Sequence, residues 1–282
     1  MTSTSVPRSL AAWIDTQPVL LDAGGLEQLE RRKLEEAEFH DTLRTDDLRG
    51  GVTELDANKR FYQAAAPVRA YVESWMQRVV PGKTFLDYAC GNGGRAIDAA
   101  QRGAALAVGI DISPVSVQNA TQAAASANVS GRTRFLQRDC EATGFPENSF
   151  DACLCSGMLH HLDLSRAFPE LQRIMAPRGR ILCVEALGYN PVIQWYRDRT
   201  PQLRTAWEKE HILTLRDVRN AQQWFAVENV RFHLMAAPAA TLLPAAVRSA
   251  GIALGHALDL ALTRIPLLQR WSWQFTFELV KR

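Results

Sequence analysis

From residue 83 onward, short apolar runs alternate with longer amphipathic stretches. The runs at 85–88, 106–110, 133–138, 150–155 and 181–184 are rich in Val, Ile, Leu, Phe and Cys, so they read as strands buried on both faces. Between them, 94–102, 113–128 and 163–175 read as helices, and Ser113-Pro114 supplies a cap and a first-turn proline. That order predicts a parallel, doubly wound α/β sheet. Upstream, 26–44 is a charged helix with Leu26, Leu29, Leu34, Ala37 and Phe39. A helix over 56–80 follows, with a stripe of Phe61, Ala65, Val68, Val72, Trp75 and Val79. Pro81-Gly82 ends it. Residues 1–23 read as an arm. After Glu185 come helices at 191–199 and 215–224, then strands at 227–235 and 271–280. The expected division is an arm and helical cap over 1–80 and a cofactor-binding domain over 81–282. An apolar, helical insertion occupies about 236–270.

The first run leads into Asp87-Tyr88-Ala89-Cys90-Gly91-Asn92-Gly93, and the second ends at Asp111. Gly91 and Gly93 let the backbone pass close to a ligand with no Cβ in the way. Asp111 stands where a carboxylate accepts from both hydroxyls of a ribose. The glycines alone also fit a dinucleotide. However, Asp87 would repel a pyrophosphate and would attract a cationic amino-acid tail. S-adenosylmethionine meets both requirements.

With these residues the chain resembles the class I S-adenosylmethionine-dependent methyltransferases, whose first motif is a strand, an acid and a Gly-x-Gly turn. Ala89 takes the place of the family's first glycine. The run 133–140 ending in Asp139-Cys140, the strand closing at Ser156-Gly157, and Pro177-Arg178-Gly179 before the fifth strand extend the likeness over about 55–190. The resemblance implies a seven-stranded mixed sheet with an antiparallel last strand. It further implies that Asp87, Ala89, Cys90, Gly91 and Gly93 hold the amino-acid tail, Asp111 the ribose, and Ile112, Asp139 and Cys140 the adenine. Ser156 and Gly157 would line the route to the methyl group, and Tyr62, on the preceding helix, would close the cofactor site. In relation to terpenoid and prenyl carbon methyltransferases of natural-product pathways, the likeness rests on the cap and tail rather than on a motif.

The formal net charge of +2 and the absence of any Lys/Arg-rich run argue against a nucleic-acid partner. The odd set of five cysteines, all on or beside predicted strands, reads as buried free thiols of a cytoplasmic protein, with no metal site in their spacing. No signal peptide is expected. Arg248, Asp259 and Arg264 interrupt the insertion, which argues against the ~18 to 20 apolar residues of a membrane span. A substrate lid or a homo-oligomer contact is expected there, ahead of a peripheral membrane contact.

Carboxyl ends of parallel strands face the ligand crevice, so His160 and His161 after the fourth strand and Glu185 at the end of the fifth are the candidate catalytic groups. A packing role beneath the cofactor explains one histidine equally well, and a hydrogen-bonding role explains Glu185. Tyr189, Trp195, Tyr196 and Trp224 are the candidate acceptor pocket, although such aromatics also serve simply to pack helices on a sheet. His40-Asp41 is a further candidate, or else part of a solvated helix face. The expected reaction is methyl transfer to a lipophilic small molecule, at carbon of a prenyl or terpenoid chain. The alternatives are O-methylation of a phenol, sugar or carboxylate with His160 or His161 as base, and a non-catalytic protein that uses the fold to bind a partner.

Overall fold

The apolar runs pair because each is closed on both faces, and the chain is seen here as a computed structural model describing residues 6–48, 64–200 and 205–282. The strands are β1 (Thr84–Tyr88), β2 (Leu106–Asp111), β3 (Thr133–Gln137), β4 (Phe150–Ser156), β5 (Met175–Ala186), β6 (Phe225–His233) and β7 (Gln274–Lys281). They form one sheet in the order β3-β2-β1-β4-β5-β7-β6. β7 runs antiparallel to both β5 and β6, and the pairs among the first five strands are parallel. Order reverses between β1 and β4, so their carboxyl ends open a crevice. This is the class I methyltransferase fold expected from the sequence.

The helices are α1 (Val6–Asp15), α2 (Ala23–Glu27), α3 (Arg31–Leu48), α4 (Ala66–Val79), α5 (Gly94–Gln101), α6 (Pro114–Ser126) and α7 (Leu164–Ile174). After β5 come α8 (Pro191–Arg199), α9 (Ala206–Glu210) and α10 (Leu215–Ala221), and between β6 and β7 lie α11 (Ala236–Leu242), α12 (Ala245–Leu262) and α13 (Pro266–Gln269). Strand residues alternate between two apolar layers. Leu86, Ile110 and Cys153 face Phe168, Leu171 and Phe275. Phe85, Ala107 and Leu154 face Val72, Trp75 and Ala96. All five cysteines are free and buried.

The stretch 1–23 is more than an arm. Leu10 and Ile14 of α1 enter the core, and the Trp13 ring lies 5.7 Å from that of Phe145. Val19 then accepts the backbone N–H of Gln137 at 2.8 Å, so the chain runs along the β3 edge and covers it. A polar opening, Thr-Ser-Thr-Ser, masked the apolar spacing of this short helix. In the expected helix 56–80, Val68, Val72 and Trp75 are buried on α4. Its first part, with Phe61 and Tyr62, lies outside the described residues. The insertion breaks at Pro244, between α11 and α12, and α12 is continuous over 18 residues and apolar enough by length and composition to cross a membrane. It packs on α11, α4 and β6.

Between β1 and α5 the backbone turns sharply, with φ of 61° at Ala89, 50° at Gly91 and 77° at Gly93. A Cβ on Gly93 would stand 2.7 Å from the Ala120 methyl and 2.8 Å from the Phe135 ring. Ala89 bears its Cβ in the left-handed region, which costs roughly 1 to 2 kcal/mol relative to glycine, offset by about 0.5 to 1 kcal/mol of glycine's extra entropy in the unfolded chain. Ala89→Gly is therefore expected to stabilise the protein by about 0.5 to 1 kcal/mol, raising Tm by roughly 2 °C in a calorimetric scan. Gly93→Ala is expected to lower it.

Candidate active site

Four loops at the carboxyl ends of β1, β2, β3 and β4 and one face of α3 enclose a cleft. Its lining includes Ala89, Gly91, Asp111, Ile112, Asp139, Cys140, Ser156, Gly157 and His161. The sequence-predicted cofactor residues thus come together, apart from three that lie beneath the turn and Tyr62. Asp87, Cys90 and Gly93 shape the turn from behind. Asp87 Oδ2 accepts the Ala96 N–H at 3.1 Å, and the Cys90 N–H reaches the Ile110 carbonyl at 2.8 Å. Burial pushes the Asp87 carboxyl up to about 7, against the pull of the Ala96 N–H and the Arg95 charge. A carboxylate so placed favours a nearby cation.

Asp111 is oriented by two backbone donors. Its Oδ2 accepts from Gly91 N–H at 2.8 Å and its Oδ1 from Ser113 N–H at 2.9 Å. Ser113 also caps α6, accepting from Ser116 N–H, while its hydroxyl donates to Asp41 of α3. The last carboxylate, Asp139, is shared: Oδ1 accepts the Glu141 N–H at 2.8 Å and Oδ2 takes Lys33 Nζ at 2.7 Å.

Lys33 stands on α3 beside a row of which sequence reasoning singled out only His40. Arg32, Glu36 and His40 recur every four residues, on one helical face, and all three line the cleft with Lys33. That spacing was the available signal, hidden by the many charges on the rest of the helix. Arg32 bonds Glu141 at 2.8 Å and the His161 carbonyl at 3.1 Å, and Lys33 also reaches Glu141 at 2.9 Å. Burial works against the Lys33 charge, yet its bonds to Asp139 and Glu141 win and raise its pKa. α3 is latched over the crevice by these pairs.

The two histidines sit in a short turn, Leu159–His161, held by one carboxylate. Glu185 has no exposed surface; its Oε1 accepts from Met158 N–H at 2.9 Å and Leu159 N–H at 2.8 Å, and its Oε2 takes His160 Nδ1 at 2.7 Å. The other nitrogen of His160 lies 3.8 Å from Glu208, a residue of α9 that also pairs with Arg197 at 2.7 Å. His161 turns the other way, into the cleft, with its Nδ1 3.1 Å from Glu36 Oε2. Because a carboxylate only accepts, Nδ1 carries the proton and Nε2 is left as the basic nitrogen. Burial pulls the His161 pKa down, but the hydrogen bond and charge of Glu36, aided by Glu208 and Glu185, raise it above the ordinary value. Glu36 moves the opposite way: burial raises its pKa, and His161, Thr205 and His40 together bring it below the usual range.

Of the predicted aromatic acceptor residues, Tyr189, Trp195 and Trp224 are not among those that line this cleft. Trp224 packs on Phe168 with ring centroids 6.0 Å apart, and Tyr189 packs on the core beneath Arg270. Trp195 is 56% exposed, with the Arg199 guanidinium 3.8 Å above its ring, and Tyr196 stands on the same helix, α8. The apolar wall comes instead from Ile112, Met158 and Leu162. An aromatic-rich stretch just after a catalytic strand looks like a pocket in sequence, whereas here its rings satisfy packing and cation–π contacts.

Comparison with known proteins bears on the family and the fold. A family model described as a methyltransferase domain matches residues 86–183. The ribosomal protein L11 methyltransferase of Burkholderia mallei is 33% identical over 144 residues, which are 51% of this chain and 44% of that protein. The sterol 24-C-methyltransferase of Aspergillus fumigatus is 32% identical over 120 residues, 42% of this chain and 32% of that one. The chain therefore spans less than half the length of these curated relatives. Among solved structures, geranyl diphosphate C-methyltransferase from Streptomyces coelicolor superposes with a TM-score of 0.61 at 15% identity, covering 90% of this chain and 98% of that one. Magnesium protoporphyrin IX methyltransferase from Synechocystis gives 0.60 at 18% identity, covering 89% and 100%. At such identities the structures speak to the fold alone. Residues 86–183 match the methyltransferase-domain model, and the chain around them has the fold of the class I S-adenosylmethionine-dependent methyltransferases.

Proposed function

We propose that this protein transfers a methyl group from S-adenosylmethionine to an oxygen of a small, partly apolar acceptor, with His161 as general base. The observation that carries the reading is the His161–Glu36 pair facing the cleft beside Ser156 and Gly157. The cleft fits the cofactor. Gly91 presents a left-handed turn without a Cβ, Asp111 offers a fixed carboxylate to a ribose, and Asp87 beneath the turn favours a cation. When bound, S-adenosylmethionine supplies an electrophilic methyl group on a sulfonium. The protein's tasks are then to align an acceptor with that methyl, to keep water out, and to collect a proton. His161 Nε2 collects it, Glu36 stabilises the resulting imidazolium, and Glu185 keeps the whole turn in place. α3 closes over the crevice and excludes solvent through the Arg32 and Lys33 pairs.

Carbon methylation of a prenyl chain or sterol-like alkene is the second reading. It is supported by the names of the sterol and geranyl diphosphate relatives and by the apolar wall of Ile112, Met158 and Leu162. It suits this cleft less well, because the carbocation it forms is best stabilised by aromatic faces, and the described lining residues include no Phe, Tyr or Trp. Incubation with methyl-labelled cofactor and a panel of hydroxylated and diphosphorylated prenyl compounds separates the two. A methyl ether or ester supports the oxygen reading, and a new carbon–carbon bond overturns it.

Three outcomes are expected. Asp111→Asn weakens S-adenosylmethionine binding by roughly 10-fold in isothermal titration, because one acceptor oxygen becomes a donor facing the backbone N–H groups or the ribose. His161→Ala costs about 10²- to 10⁴-fold in kcat, while His160→Ala costs less, since His160 touches Glu185 and Glu208 rather than the cleft. The acid limb of the pH–rate profile follows the raised His161 pKa, because the base acts only when deprotonated. Glu36→Gln removes the charge that raises it, so the limb moves to lower pH while the plateau rate falls.

A further inference from the structure

The insertion between β6 and β7 concentrates apolar surface that the fold leaves uncovered. Of the 14 exposed large apolar side chains among the described residues, eight lie between 242 and 271. They include Leu242 at 79% exposure, Leu267 at 67% and Leu254 at 63%, together with Leu258, Leu260 and Trp271. In α12 only Ile252, Gly255 and Asp259 are buried, a stripe spaced by three and four that meets the body. Val247, Leu254 and Leu258, spaced by seven and four, stand on exposed positions. An outward helix face that carries such side chains is normally enclosed by protein or lipid.

The polar groups of the segment are one-sided. Its cations are Arg248, Arg264 and Arg270, and its single carboxylate, Asp259, is 2% exposed and accepts the Leu234 and Met235 N–H groups at 3.0 and 2.9 Å. That bond, and the close approach of Gly255 to the Met235 backbone (an added Cβ would stand 3.1 Å away), fasten α12 along the protein. It therefore lies on the body as a surface element, although its length would allow a span. A lid over the cleft does not account for it, since none of the residues lining the cleft comes from 236–270. A two-fold dimer through this face would bring the exposed Arg264 and Arg270 together with the same two of the other copy, with no exposed carboxylate from the segment between them.

We propose that α11–α13 form a docking surface for an anionic lipid bilayer, in which the leucines and Trp271 enter the acyl boundary and Arg264 and Arg270 meet acidic headgroups. The surface adjoins the loop that leaves β5: Asn190 donates to the Trp271 carbonyl, and Arg270 lies over the Tyr189 ring. Docking would thus hold the carboxyl end of the sheet, where the cleft opens, close to the membrane. The proposal does not depend on which atom is methylated, and its test reads lipid binding rather than turnover.

The full chain is sedimented with vesicles of phosphatidylcholine alone and with vesicles that also contain phosphatidylglycerol. The expected result is partition onto the anionic vesicles that falls with added salt, with weak or no partition onto neutral ones. Leu254→Glu with Leu258→Glu should abolish partition, and Arg264→Gln with Arg270→Gln should weaken it roughly 5-fold per charge. Both variants should keep the wild-type Tm and S-adenosylmethionine affinity. Absence of partition at low salt would overturn the proposal. So would equal binding to both vesicles, or light scattering that shows a dimer broken by the leucine substitutions, which would assign the face to a second copy of the chain.

Discussion

A single buried carboxylate organises the reactive end of this protein. Glu185 sits at the last residues of β5, out of contact with water, and three donors converge on it: the Met158 and Leu159 N–H groups and the imidazole of His160. Leaving such a group unpaired in the interior would be costly, so the turn after β4 has one arrangement in which the charge is satisfied. That arrangement decides which histidine faces the cleft. His160 is drawn inward to Glu185, and His161 is turned outward toward Glu36. Two adjacent, chemically identical residues acquire different roles from the position of one acid two strands' length away in sequence.

The same logic of paired charge attaches the cap. α3 has little apolar character, and it stays on the domain by polar contacts: Arg32 and Lys33 to Glu141 and Asp139, Glu36 to His161, and Asp41 to Ser113. Polar attachment is weaker and more reversible than an apolar face would be, because each pair gives back much of its energy in desolvation. A helix that lines a cofactor cleft benefits from that property, since small molecules have to enter beneath it. Asp139, which both pairs with Lys33 and lines the cleft, joins the latch to the cleft wall through one group.

Much of the fold was legible because it depends on local pattern. Double-faced apolar runs with intervening amphipathic helices give the order of elements, and Gly91, Gly93 and Asp111 fall where backbone geometry requires them. The less legible parts share one feature, dependence on distant contacts. The helix at 6–15 is short and follows a polar opening, yet Leu10 and Ile14 find a core already formed by Phe145 and its neighbours. Tyr189, Trp195 and Trp224 have the composition of a pocket, and only packing sends them elsewhere. Arg32, Glu36 and His40 look like a solvated face until the loop after β3 is placed opposite them.

Sequence alone therefore determined the class of fold, the strand ends at which a ligand crevice is expected, and the cofactor class to expect there. Each follows from the alternation of apolar and polar residues or from the stereochemistry of glycine and carboxylate at a strand end. Tertiary structure alone decided which histidine faces the cleft, which charges cap it, and which side of the insertion stays bare. These depend on pairings across more than a hundred residues, such as Glu36 with His161, and on burial that no local window contains. Charge pairs and covered surfaces are properties of what stands opposite, and the chain settles that only when the sheet has closed.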